Sequence, residues 1–207
     1  MWGNRKFLVL FLCVLLLHGC SGDERNNPKG TPQQPEPNKR SPKTTSLTYA
    51  DRKVWRATLQ WPDSCETAFD NREGTWSGLT FWPIGPKQYL VEVQCFLAAY
   101  QPSNMYAWYD EGTEPPLSKF LAFTVYSSED GKKIVQEQVM ELAGLSEFNA
   151  EQKELWITTK SRGLGDCGSF AKYEIQNGAA ILKEFRAKFQ CDGKWQEPKT
   201  YERLFPH

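Results

Sequence analysis

Histidine is nearly missing from this chain of 207 residues: there are two, His18 and His207. Neither occupies an internal position where a third group could orient the imidazole. Ser-His-Asp triads, Cys-His dyads and His-based zinc sites are therefore excluded as the basis of activity. Net charge is missing too, with 25 basic against 25 acidic residues, which argues against a polybasic nucleic-acid surface or an acidic solvating tail. The strongly apolar run, residues 7–17, covers only roughly 17 Å of a ~30 Å hydrocarbon core and is too short to span a bilayer. A short-spaced thiolate pair is also lacking, because Cys65, Cys95, Cys167 and Cys191 lie 30, 72 and 24 residues apart, so a CxxC-type metal centre is not expected. Apolar material itself is plentiful. A hydrophobic fraction of 40% with 24% charged residues supports a packed core rather than wholesale disorder.

The N-terminus reads as an export signal. Arg5 and Lys6 precede the apolar run, which ends in Leu17-His18-Gly19-Cys20. A basic n-region, a short apolar core and a small residue before the cleavage point are the parts of a removable signal. This ending resembles the lipobox of bacterial lipoproteins, in which the Cys is lipidated and becomes the new N-terminus. Cys20 is thus expected to carry acyl chains such as palmitate, each buried CH₂ adding ~0.8 kcal/mol of membrane affinity. Ser21 stands where an Asp would resemble an inner-membrane retention signal, so the expected location is the outer membrane, facing the periplasm. Loss of residues 1–19 takes away Arg5 and Lys6 and leaves a net charge of −2, with His207 as the sole histidine. Residues 20–47 follow as the lipidated Cys and a tether. Pro28, Pro32, Pro35, Pro37 and Pro42 lie there among Asn, Gln, Lys and Thr, and such a segment buries too little to order itself.

Residues 48–207 read as one globular domain. Val54, Trp55, Thr58 and Leu59 recur at helical spacing behind the cap candidate Thr48, which predicts a helix over 50–59. Asp63 lies three residues before Glu66, a variant of the capping box, and predicts a second short helix reaching residue 69. Strand signals then dominate, over 89–96, 105–109, 120–126, 133–142, 155–160, 171–176 and 181–189. Of these, 133–142 also has apolar spacing that suits a helix. Asn177-Gly178 between two alternating runs is the strongest hairpin signal. The expected fold class is α+β, mostly antiparallel β, with one or two short N-terminal helices and two disulfides. Four cysteines in an exported chain imply bridges, with three pairings open. The local one, Cys65 with Cys95 and Cys167 with Cys191, would staple each end of the domain.

Few motifs carry chemistry. Residues 163–168 spell G-x-G-x-x-G, but a dinucleotide fingerprint needs a helix to begin inside it, and the residues that follow alternate as a strand. No nucleotide, nucleic acid, cofactor or metal is expected. The glycines instead suit a tight loop across which Arg162 and Asp166 form an ion pair or meet a ligand. Carboxylates for a glycosidase-type pair exist in Glu66, Asp110, Glu111 and Asp166, without spacing that selects any two. Tyr100, Tyr106, Trp108 and Tyr109 could form a ligand-stacking face, against the plainer alternative of sheet packing.

Several separated motifs resemble one bacterial family. They are Trp61-Pro62-Asp63-Ser64-Cys65-Glu66, the Val91-Glu92-Val93-Gln94-Cys95 run continuing through Ala99-Tyr100-Gln101-Pro102-Ser103-Asn104, and Arg162-Gly163-Leu164-Gly165-Asp166-Cys167-Gly168 with the Asn177-Gly178 hairpin and Cys191. Together, over roughly residues 49–205, they resemble Domain of Unknown Function 1176. Pro102 stands where that family more often has a small residue. The resemblance implies an exported, envelope-associated protein and lends no activity. Its motifs gather around Cys65, Cys95 and Cys167, which implies a stapled frame or one shared surface. The expectation is a non-enzymatic envelope lipoprotein, anchored through its N-terminal lipid, that binds a protein or cell-wall ligand. Arg162, Asp166, Glu66, Tyr100 and Trp108 are its candidate ligand-binding residues. Inhibition of a wall-degrading enzyme is one form this binding could take. A carboxylate-dependent hydrolase acting on envelope glycans is the alternative.

Overall fold

Thr48 opens the first helix as its sequence context predicts. Its backbone N–H and its hydroxyl both donate to the Asp51 carboxylate, at 2.6 and 2.7 Å, and the first of these is the return bond of a capping box. Helix α1 (Tyr49–Leu59) ends where Gln60 turns into the left-handed region, φ 60°. The second helix, α2 (Asp63–Ala68), starts differently from expectation. Pro62 is the cap residue and makes no side-chain capping bond. Asp63 is the first helical residue, and Glu66 reaches away from the helix end toward Arg52 and Trp61.

The computed structural model describes residues 48–69 and 76–206, all within one compact unit. The export signal, Cys20, the tether and His207 lie outside the described residues. Among those described, no helix is long and apolar enough to cross a membrane.

Two five-stranded sheets and a small ribbon make up the rest, and every strand pair is antiparallel. The first sheet contains β1 (Leu79–Gly85), β2 (Gln88–Leu97), β3 (Pro102–Asp110) and β4 (Leu117–Phe120) in that order. The far edge of β3 is shared, with β4 along 107–110 and β7 (Glu141–Ala143) along 103–105. The ribbon pairs β5 (Phe123–Ser127) with β6 (Val135–Val139). The second sheet runs β12 (Glu202–Phe205), β11 (Ala179–Lys188), β10 (Gly168–Gln176), β9 (Glu154–Lys160), β8 (Leu145–Asn149). A single-turn 3₁₀ helix, Pro198–Thr200, precedes β12.

The first sheet is covered on both faces, and side-chain alternation along a strand explains how. From β2 and β3, Leu90, Tyr106 and Trp108 join the core shared with the second sheet's Leu155, Ala171, Tyr173 and Phe185. Their neighbours Val91, Val93, Cys95, Met105, Ala107 and Tyr109 pack with Leu59, Trp61 and Cys65 of the helical layer. A strand buried on both faces reads as a near-continuous apolar run, and β2 was legible for that reason. Leu90, Val91 and Val93 have no exposed surface, and full burial of each such side chain is worth about 1.5–3 kcal/mol.

Several strand boundaries differ from expectation. The run 120–126 divides between β4 and β5, which belong to different sheets. The run 133–142 is strand, as β6 and β7, and continues after Gly144 as β8. One stretch of chain thus serves the ribbon and both sheets in turn, and its mixed partners blur any single periodicity. Strand β1 carries Pro83, which fits its position at a sheet edge. The Asn177-Gly178 turn is as predicted: Gln176 faces Ala179, and both turn residues have positive φ, 49° and 70°, as a type I′ hairpin requires.

Of the three open disulfide pairings the structure has the local one, Cys65–Cys95 and Cys167–Cys191. Loops of 30 and 24 residues make each bridge worth about 3–4 kcal/mol in the chain-entropy account. The bridges do not staple opposite ends. Cys95 lies near the end of β2, the turn after β2 bonds to Lys160, and Ser161 N–H donates to the Cys167 carbonyl at 3.1 Å. Both bridges therefore flank the β2–β3 turn.

Candidate functional site

Two loops meet at this doubly bridged end. The first is the β2–β3 turn, residues 98–101, closed by Ala98 N–H donating to the Gln101 carbonyl at 3.1 Å. The second joins β9 to β10 and contains Arg162 and Asp166. Gln101 clamps one to the other. Its amide nitrogen donates to the Lys160 carbonyl at 3.1 Å, and its amide oxygen accepts from the Lys160 N–H at 2.8 Å. Tyr100 adds a hydroxyl bond to the Ser161 carbonyl at 3.4 Å, and its ring comes within 3.7 Å of where a Cβ on Gly163 would stand.

Within the second loop, Gly165 N–H donates to the Arg162 carbonyl at 3.0 Å, which folds residues 162–165 into a turn. Gly168 closes the loop at φ 152°, where a Cβ would lie 1.9 Å from the Thr159 carbonyl oxygen. No other residue fits this backbone without moving β9. Arg162 grips Asp166 through two parallel bonds, Nε to Oδ1 at 2.7 Å and Nη2 to Oδ2 at 2.5 Å. Asp166 Oδ2 also accepts from Gly193 N–H at 2.7 Å, while Arg162 donates to the Cys191 carbonyl at 3.1 Å. The bidentate bond from Arg162 holds the Asp166 carboxyl far below the usual carboxylate range, with the Gly193 N–H helping. The same bond raises the Arg162 guanidinium. Asp166 is 2% exposed and its oxygens are engaged within the loop. Both residues are braces between the loop and residues 191–193.

The loop presents something else. Leu164, at the turn, is 74% exposed. Neighbouring segments add exposed apolar side chains: Phe96, Leu97 and Tyr100 around the β2–β3 turn, and Trp195 beyond Gly193. Leu164 escaped sequence reasoning, although a Leu enclosed by glycines in Arg162-Gly163-Leu164-Gly165 was a usable signal. A bulky apolar residue with glycine on both sides has little local cover.

The other candidates divide. Tyr100 belongs to this end. Glu66 stands on α2 beside Cys65, where its Oε2 accepts from Arg52 Nε at 2.8 Å and Trp61 Nε1 at 2.9 Å. Trp108 is half-buried near the Asn177-Gly178 turn, with its ring 3.5 Å from a Cβ position on Gly178. Strand β10 separates that turn from Cys167 by about 27 Å at 3.4 Å per residue. The expected stacking face is divided as well. Tyr106 and Trp108 point to one side of β3 and Tyr109 to the other, and Tyr106 is fully buried. Sheet packing accounts for Tyr106 and Tyr109.

The acids considered for hydrolysis are also apart. Asp110 accepts from Gln88 Nε2 across the β2–β3 pair and from the Gly112 N–H in the loop after β3, and Glu111 accepts from Tyr89. From Gln88 to Cys95, β2 spans about 23 Å, so these two lie far along the sheet from Glu66. A fifth acid was overlooked. Glu92 projects between the sheets and accepts from the Tyr106 and Ser146 hydroxyls. Burial raises its carboxyl above the ordinary value against the pull of those two bonds. Its partner Tyr106 is raised by the same burial and by Glu92 itself. Two surface hollows, about 420 Å³ beside Lys53, Arg56 and Gln60 and about 330 Å³ beside Ser127, Asp130 and Lys133, include none of the five candidates. Among the described residues, no group of three or more His, Cys, Asp or Glu side chains is placed to hold a metal ion.

Fold and site together define an antiparallel α+β domain, covered by helices on one sheet face, with a loop braced by disulfide and ion pair at one end. The chain belongs to the family described as Protein of unknown function (DUF1176), whose family model matches residues 22–205. The match begins well before the resemblance read from the motifs, which starts near residue 49. No curated protein matches the chain, and neither does any solved structure.

Proposed function

We propose that this chain is a bacterial cell-envelope lipoprotein whose domain binds a protein partner without catalysis, as an inhibitor of a wall-degrading enzyme. The carrying observation is Leu164, held 74% exposed on a loop that a disulfide, a bidentate ion pair and the Gln101 clamp keep in one shape. An apolar anchor on a pre-ordered loop loses little conformational entropy on docking, and such anchors dominate interface energies. Leu97 and Tyr100 widen the contact, and the target is a cleft that takes a leucine. Lipidation at Cys20 with residues 21–47 as tether would hold the domain at the outer membrane, facing the periplasm. Cys20→Ser is expected to release the protein from the membrane fraction, and an acylated, fully membrane-bound Cys20→Ser product contradicts that part.

The direct test is inhibition of peptidoglycan hydrolysis by a lysozyme-type muramidase. The wild type is expected to inhibit at near-stoichiometric ratio, and Leu164→Asp to lose at least roughly thirtyfold, equivalent to about 2 kcal/mol for a central anchor. The carboxylate-dependent hydrolase reading draws its support from Glu92, whose carboxyl burial raises, the direction in which general acids are prepared. Turnover of peptidoglycan by the protein itself, lost on Glu92→Gln, would replace the inhibitor reading with that one.

A further inference from the structure

The outer face of the second sheet, away from the shared core, concentrates positive charge on aromatic side chains. Cross-strand register places Lys172 between Trp156 and Glu184, and Arg186 between Phe170 and Arg203. Trp156 and Phe170 meet edge-on at 6.4 Å. Lys172 Nζ lies 5.3 Å from the Trp156 ring centre and 5.8 Å from that of Phe170. Lys199, on the 3₁₀ turn that precedes β12, reaches the same two rings at 4.9 and 5.7 Å. These four distances and the ring separation confine the two ammonium groups to within roughly 9 Å of each other.

Compensation on this face is incomplete. Glu184 is the one carboxylate shared by Lys172 at 3.1 Å, Arg186 at 2.5 Å and Arg203 at 3.7 Å. Partial burial pushes its carboxyl up, but the bonds from Arg186 and Lys172 bring it below the ordinary value, so it is already ionised. Of the other acids of the face, Glu174 holds Lys183 at 3.1 Å, while Glu154 accepts only the neutral Trp156 Nε1–H at 2.9 Å and keeps its charge. Glu147 lies across from Trp156 in the register, on the side away from Glu184. Lys199 is exposed, and no carboxylate among the described residues pairs with it. An aromatic ring differs from a carboxylate as a partner in one decisive respect. It orients an ammonium group through its quadrupole but leaves the charge uncancelled. Lys199 is therefore positioned and still electrically unmet, and Gln196 Nε2, bonded to the Thr200 carbonyl at 2.8 Å, helps to fix the turn that carries it.

The geometry points to an anion site on this face, formed by Lys172 and Lys199 over Trp156 and Phe170 with Arg203 on the far side of Glu184, that takes a phosphate group bearing two or more negative charges or presented in a row. Lys172, Arg186 and Arg203 share Glu184 and Lys199 has no carboxylate partner among the described residues, which leaves positive charge in excess at the two rings, and Lys ammonium groups serve phosphate as point charges. A free phosphate compound and a lipid headgroup share this chemistry. The site does not depend on the Leu164 loop and stands or falls apart from the inhibitor reading.

Two titrations of the purified protein decide it. One adds sodium pyrophosphate and is followed by calorimetry. The other compares sedimentation with neutral phosphatidylcholine vesicles and with vesicles that also contain phosphatidylglycerol, a difference that cancels any contribution of an N-terminal lipid. Saturable binding in at least one arm is expected, weakened roughly fivefold by Lys199→Gln and further by the Lys172→Gln, Lys199→Gln pair. The arm that responds identifies the source of the phosphate. Trp156→Leu, which changes no charge, should also weaken binding, because the ammonium groups lose their platform. Circular dichroism establishes that each variant is folded, and Lys199→Gln, an exposed change, decides alone if Trp156→Leu is not. No binding above the neutral controls in both arms, or Lys199→Gln binding as tightly as the wild type, overturns the site.

Discussion

Two arginine–carboxylate pairs stand beside the two disulfides, and they are opposite in polarity. At the first bridge Glu66 follows Cys65, and the buried partner is the base: the Arg52 side chain is 0% exposed and that of Glu66 17%. At the second bridge Asp166 precedes Cys167, and the buried partner is the acid: the Asp166 side chain is 3% exposed and that of Arg162 42%. The plan is otherwise shared. Each carboxylate accepts one further donor, Trp61 Nε1 or Gly193 N–H, and each arginine also donates to a backbone carbonyl, of Ser77 or Cys191. Arg52 lies in addition over the rings of Phe69, at 3.8 Å, and Trp61, at 4.9 Å. Burial pulls its guanidinium below the ordinary value, and Glu66 pulls it back. The first pair thus ties the two helices to each other and to the segment that leads into β1. The second fixes a surface loop and leaves one side of it open. The cost of breaking a pair falls on whichever charge stays behind in the interior.

That rule orders the outcomes. Glu66→Ala leaves Arg52 buried without its counter-charge and is expected to cost about 3–5 kcal/mol, read as a lower midpoint in urea unfolding. Arg52→Met removes the buried charge itself and is expected to cost much less than Glu66→Ala. At the second bridge the asymmetry inverts. Arg162→Ala strands the buried Asp166, so it should lower the midpoint more than Asp166→Ala, which leaves an arginine free to reach water. Equal effects within either pair would break the comparison.

The sequence disclosed these pairs unevenly. Arg162 and Asp166 are four residues apart in one glycine-rich motif and were legible as a pair. Glu66 was noticed and assigned to capping, because its partner is 14 residues upstream in a helix that had no visible link to it. Arg52, between Asp51 and Lys53, was not singled out. The signal was nevertheless present: Arg52, Trp55 and Leu59 fall at i, i+3 and i+7, which places the arginine on the apolar face of α1. Strand β8 shows the converse limit. Leu-Ser-Glu-Phe-Asn carries little alternation, and its place follows from the chain's passage through the ribbon and both sheets. The exposure of Leu164 left a signal in its flanking glycines, whereas the meeting of Lys172 and Lys199 over Trp156 and Phe170 could not be read in advance, since it depends on which strands and turns become neighbours.

A smaller effect sharpens the contrast with a third ionisable group held inside the fold. Glu92 has hydroxyl partners from Tyr106 and Ser146 but no arginine, and its folded-state carboxyl is raised. An acid that titrates higher when folded holds its proton more tightly in the native state. Its contribution is fully present below the unfolded value of about 4.3 and is lost as pH rises through the raised folded value. Asp166, lowered in the folded state, contributes in the opposite direction: its stabilisation is present above about pH 4 and declines as pH falls further. Glu92→Gln should therefore gain stability relative to the wild type as pH rises above about 4, while Asp166→Asn should lose most at neutral pH and converge with the wild type in acid. Thermal melts between pH 3 and 8 separate the two slopes.

The account rests on the loop of residues 161–167 being rigid before any partner arrives, and amide hydrogen exchange measures that directly. Ser161, Gly165 and Gly193 donate their N–H groups to Cys167, Arg162 and Asp166. In the oxidised wild type these three amides are predicted to exchange slowly, at rates near those of the β9–β10 ladder, and Asp166→Asn is predicted to release Gly193 first. Fast exchange at all three in the wild type would show a loop that orders only on contact, and would contradict the claim that Leu164 is presented on a pre-formed support.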